Sequence, residues 1–123
     1  MTGVELARAL ERGSLGNAGF HHIDHLRVAW VYLEESPTVE AALARMSETL
    51  RRFAASVGHA EKYSDAVTAF WMFQLASVRA MMPGVDCETI LKAYPRLLDK
   101  HANVPYYSGD ASPPRTAGTP RDT

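Results

Sequence analysis

The chain has 123 residues, 46% of them apolar and 22% charged, enough to bury a single core without disulfides or structural metal. Thirteen basic residues offset fourteen acidic ones, which removes the electrostatic case for nucleic acid or an anionic membrane as partner. Cys87 is the single cysteine, so a disulfide framework and a CxxC-type zinc site are excluded within one chain, and a reducing cytoplasm is the expected setting.

The opening stretch, MTGVELARALERG, is too polar for a secretory signal. The longest apolar run, AVTAFWMFQLASV at 66–78, falls short of the roughly 18 to 20 residues a membrane span needs. It reads instead as a core helix.

In chain order, a first helix is expected over Gly3–Arg12, with Thr2 as N-cap and Gly13 as its stop. Leu6 and Leu10 give it a narrow apolar stripe suited to the outside of a bundle. GSLGNAG (13–19) is turn-rich and leads to a second helix over Phe20–Glu35, where His22, Leu26, Ala29, Trp30 and Leu33 share a face. Ser36 and Pro37 then have the chemistry of an N-cap and first-turn residue for a third helix reaching Val57. Its stripe of Val39, Leu43, Met46, Leu50, Phe53 and Val57 is the clearest amphipathic pattern in the chain, and Gly58 closes it.

A fourth helix begins near Tyr63 to Asp65 and ends near Met82. It carries no charge between Asp65 and Arg79, which predicts either a central place in the bundle or cover by a second subunit, that is, a homodimer. Asp86 caps a short fifth helix that Pro95 interrupts. From Ala102 the chain is rich in Pro, Gly, Ser and Thr and reads as an extended tail. The expected fold is all-α: a compact bundle of four or five helices over residues 1–101, followed by a tail over 102–123.

FHHIDHLRVAW (20–30) concentrates the candidate chemistry. On an ideal helix His22 and His25 lie about 60° apart and approach one point, whereas Asp24 points away, toward Arg27. Neutral imidazole is both a ligand for Zn, Fe, Cu or Ni and a general base near neutral pH. A metal normally needs at least three protein ligands. Asp65 and His59 are the main candidates for completing the set, with Glu34 and His101 behind them. Asp65, if desolvated against the apolar fourth helix, would have its proton affinity raised toward working pH. Tyr63 is placed to donate a hydrogen bond to a substrate.

Ordinary readings stand beside each of these. Asp65 has the position of a first-turn carboxylate favoured by the helix dipole, and His59 that of a solvated residue after a helix stop. His22 and His25 have the pattern of hydrogen-bonded core histidines. Phe70, Trp71, Met72 and Phe73 are first of all core, and Cys87 has no partner base in the sequence that would make it a nucleophile.

FHHIDHLRVAWVYL, LRRFAASVG, KYSDAVTAFW and LLDK…YYS, spread over residues 20–108, resemble a family of small bacterial proteins of unassigned activity. That family's pattern is F-x-H-x-D-H-L-x-x-A-W, then L-R-R-F-A, K-Y-H-E-T and Y-Y-S. The resemblance implies importance for His22, Asp24, His25, Tyr63 and Asp65 without specifying a reaction. The chain departs from the pattern at Ser64, where the family has histidine, and at Asp65, where it has glutamate.

The functional expectation is a histidine-centred metal or general acid–base site acting on a small organic molecule. The metal form would use His22, His25, Asp65 and His59, and the catalytic form His22, His25, Asp65 and Tyr63. A non-catalytic dimeric scaffold is the alternative. A small-ligand carrier built around Trp30 and Trp71 is a third reading.

Overall fold

A computed structural model describes residues 1–16 and 20–100 of the chain. Five helices, α1 (Gly3–Arg12), α2 (His22–Glu35), α3 (Val39–Ser56), α4 (Asp65–Met81) and α5 (Cys87–Ala93), make an all-α bundle. Short 3-10 segments at Ala60–Lys62 and Pro95–Leu98 complete it. The expected tail, His101 and the Y-Y-S stretch lie outside the described residues.

The caps explain most helix limits. Thr2 Oγ1 accepts from the Glu5 N–H at 3.1 Å while Glu5 Oε1 accepts from the Thr2 N–H at 2.7 Å, a reciprocal capping box. Gly13 stops α1 with φ at +73°, and Asp86 caps α5 by accepting from the Thr89 N–H at 2.8 Å. α2 starts later than the sequence suggests. Asp24 reaches back to the His21 N–H at 3.0 Å, making His21 the N-cap and leaving Phe20 outside the helix.

The start of α3 differs too. Ser36 is extended (φ −112°, ψ 149°), as a residue before proline is, but it serves as the C-cap of α2, and α3 begins only at Val39. Thr38 is the next residue able to cap, and its Oγ1 accepts from the Ala41 N–H at 3.0 Å.

α2 is the centre of the bundle. It packs against α1, α3 and α4, and buries Leu26, Val28, Ala29, Trp30, Val31, Tyr32 and Leu33, residues that go all the way round its circumference. Each large apolar side chain so buried contributes roughly 1.5 to 3 kcal/mol. The expectation that α4 is central is therefore corrected. α4 buries only Met72, Leu75 and Val78 and leaves Phe73 43% and Met81 65% exposed. Lack of charge misled here, because Ala66, Thr68, Ala69, Ala76 and Ser77 fill much of the uncharged stretch without demanding burial.

One polar network locks α1, α2 and α3 together away from the histidines. The buried Tyr32 hydroxyl donates to Glu11 at 2.6 Å and accepts from buried Thr49 at 3.1 Å. Arg8 bridges Glu11 and Glu35, and Arg45 lies 4.2 Å over the Tyr32 ring while pairing with Glu35 at 3.2 Å.

Among the described residues no helix is long and apolar enough to cross a membrane.

Candidate functional site

The first two turns of α2 face the end of α3, the 3-10 turn at Ala60–Lys62 and the start of α4. Between them lies a cavity of about 460 Å³, within the usual range for small-molecule sites. Its wall is largely apolar: Phe20, Leu26, Leu50, Phe53, Trp71 and Met72 contribute to it. His22, His25, His59 and Tyr63 also line it, so four of the five residues singled out from sequence meet at one place.

His59 reaches the wall because of how α3 ends. Gly58 takes φ +79°, its N–H donates to the Ala55 carbonyl at 3.2 Å, and the His59 N–H donates to the Ala54 carbonyl at 2.7 Å. This Schellman arrangement turns the chain back and holds the His59 backbone against α3. The sequence showed the helix stop, and the turn it makes brings the histidine to the cavity.

His22 Nε2 lies 2.9 Å from the backbone carbonyl of Leu97. A carbonyl oxygen only accepts, so Nε2 carries the proton and Nδ1 keeps the lone pair of a neutral ring. The ring meets Trp71 edge-on at 4.7 Å. Burial lowers the His22 pKa from 6.5, partly offset by the Leu97 hydrogen bond, which favours the imidazolium.

His25 is held differently. Its ring stacks on Phe20 at 4.2 Å, and Phe20 in turn meets Phe53 edge-on at 5.2 Å. Burial, with His22 nearby, pushes its pKa down to about 4. His25 is thus neutral at pH 7, and among the described residues neither ring nitrogen has a hydrogen-bond partner.

The expectation for Asp65 is corrected. It is the first residue of α4 and does not line the cavity, its side chain being 67% exposed. The Tyr63 hydroxyl donates to it at 2.7 Å and Arg51 pairs with it at 3.1 Å, and these bonds lower its pKa instead of raising it. The missing ingredient was desolvation: the start of α4 is at the surface. The same bond corrects the role of Tyr63. Its one hydroxyl proton is given to Asp65, so toward a cavity ligand it can only accept.

Asp24 accepts from Arg27 at 3.2 Å as well as from the His21 N–H, a helix-start role apart from the cavity, as its spacing suggested. Among the described residues no group of three His, Cys, Asp or Glu side chains is placed to hold a metal ion. Trp71 lines the cavity, while Trp30 is buried in the core beneath Arg79 at 5.3 Å. Cys87 is partly buried, and burial pushes its thiol up to about 12, far from a nucleophilic thiolate.

Sequence reasoning overlooked Lys62 and Lys100, both exposed and both lining the cavity. Ser64 lines it too, with its Oγ accepting from the Val67 N–H at 3.2 Å as N-cap of α4. The signal for Lys62 and Lys100 was their place within KYSD and LLDK, beside residues already singled out.

No family model matches the chain, and no curated protein or solved structure matches it.

Proposed function

We propose that the cavity binds a small, largely apolar organic molecule and that His22 and His25 act on it as neutral imidazoles. One observation carries this reading. His25 has ring nitrogens with no hydrogen-bond partner among the described residues and lines a largely apolar cavity, where a bound molecule could take up that hydrogen bond.

In the catalytic form of this reading, His22 is the better base of the two. A base works best with a pKa near the working pH, and His25, at about 4, is too weak to hold a proton well at pH 7. His22 would accept a proton at Nδ1, and the resulting imidazolium would be steadied by the Nε2–H bond to Leu97 that already exists. His25 would orient the molecule by a hydrogen bond. This arm of the histidine-centred expectation needs no third ligand, and Asp65 has no part in it.

The test combines a thermal-shift and tryptophan-fluorescence screen of small organic molecules with His22→Ala and His25→Ala. Expected are hits that raise the melting temperature of the wild-type protein and lose affinity in both variants, with helical circular dichroism retained. Metal analysis of protein purified without a histidine tag separates this form from a metal-centred one. Undiminished binding in both variants would sink the reading.

A second reading rests on a separate observation, the exposure of Phe73 and Met81 on α4. A second copy of this chain covering them would make a homodimer. Sedimentation equilibrium of the wild type and of Phe73→Glu checks this: a dimer that the substitution dissociates supports it, and a wild-type monomer rules it out.

A further inference from the structure

We propose that the molecule taken up by the cavity is an organic anion, its apolar body against Trp71, Phe20 and Phe53 and its negative group at Lys62 and Lys100. This inference rests on reading the cavity as a binding site, and adds the class of ligand.

Three observations carry it. First, among the described residues that line the cavity there is no carboxylate, while two lysines line it. Second, the nearby acids are occupied elsewhere. Asp65 holds Tyr63 and Arg51, and Glu61 lies 3.8 Å from His59 and does not line the cavity. Neither lysine is in an ion pair with a described residue. Third, both lysines are exposed although they line the cavity, whereas Phe20 and Phe53 are buried and His22, His25 and Trp71 partly buried, so the charged lining residues are the solvent-facing ones.

The field near His22 has the same sign. Lys100 and Asp99 both act on that ring, and the effect of Lys100 is the larger. A neutral ligand would leave the two ammonium groups unused, and a cation would be repelled by them. An anion with an apolar body satisfies both the exposed lysines and the apolar lining, with no need to desolvate its charge.

Calorimetric titration of the intact protein with three matched probes, octanoate, octan-1-ol and octylammonium, tests this. Octanoate is expected to bind about ten-fold more tightly than octan-1-ol, and octylammonium more weakly than either, a ratio in keeping with two partly exposed ion pairs. In Lys62→Met/Lys100→Met the advantage of octanoate should vanish while octan-1-ol binding stays unchanged. Equal affinity of octanoate and octan-1-ol for the wild type would overturn the anion proposal and leave cavity binding standing. Persistence of the octanoate preference in the double variant would overturn it as well. Binding of none of the three would remove both the proposal and the reading beneath it.

Discussion

His22 donates from Nε2 to the backbone carbonyl of Leu97 at 2.9 Å, tying the first turn of α2 to the 3-10 segment 75 positions further along the chain. The bond fixes the tautomer of a cavity histidine through a group no side-chain substitution can remove. A long-range proton–nitrogen correlation spectrum at neutral pH is expected to place the His22 proton on Nε2 and leave Nδ1 bare. His22→Phe should destabilise the protein by about 1 to 2 kcal/mol, because the Leu97 carbonyl loses its partner. A proton found on Nδ1 would contradict the bond.

The pH dependence of stability follows from His25. Its folded pKa of about 4 lies below the ordinary 6.5, so as pH falls the unfolded chain takes up the proton first. The contribution is therefore complete above about pH 6.5 and is lost progressively on the way down to about pH 4, with His22 acting in the same direction. Glu11 is pushed up by burial but held below its ordinary value by Tyr32 and Arg8, and Arg8 holds Glu35 low. Their losses come at lower pH than most of the histidine window. Urea unfolding should show about 2 kcal/mol less stability at pH 5 than at pH 7.5. His25→Phe, which preserves a ring against Phe20, should remove most of that difference. An equally steep loss in the variant would show that His25 is not the group responsible.

Asp65 supplies a contrast to the histidines. It sits at the surface, bonded to Tyr63 and Arg51. Asp65→Asn should change octan-1-ol affinity by less than about two-fold and leave the His22 and His25 imidazole signals in place. A ten-fold loss would restore Asp65 to the site.

Tyr32 tests the network that holds α1 against α2 and α3. Tyr32→Phe deletes a buried hydroxyl bonded to both Glu11 and Thr49, and leaves the Thr49 hydroxyl buried without its partner. A loss of about 1 to 2 kcal/mol in chemical denaturation is expected, with octan-1-ol affinity unaltered. A neutral effect on stability would mean that the network contributes nothing net.

What could be read from the sequence was local. Thr2, Gly13, Gly58 and Asp86 mark helix ends because each satisfies or releases backbone groups within a few residues. The pairing of His22 with His25 was legible for the same reason, since a helix places residues three apart on one side. The expected Ser36 cap did not form: Thr38 caps α3 instead, and Ser36 Oγ ends up buried without a partner among the described residues. Burial was harder to read. An uncharged stretch suggested that α4 is central and that Asp65 is desolvated, but both depend on how helices distant in sequence meet. The convergence of His59 and of Lys100 on the cavity has the same origin, because a turn and a 3-10 segment carry them there.

The most direct measurement is an octan-1-ol titration of histidine-labelled protein, followed through the imidazole resonances. Saturable shifts at His22 and His25, with the exposed His21 ring unmoved, are the expected result. Saturable binding that leaves His22 and His25 unmoved would place the binding site elsewhere and contradict a ligand seated against the two neutral imidazoles.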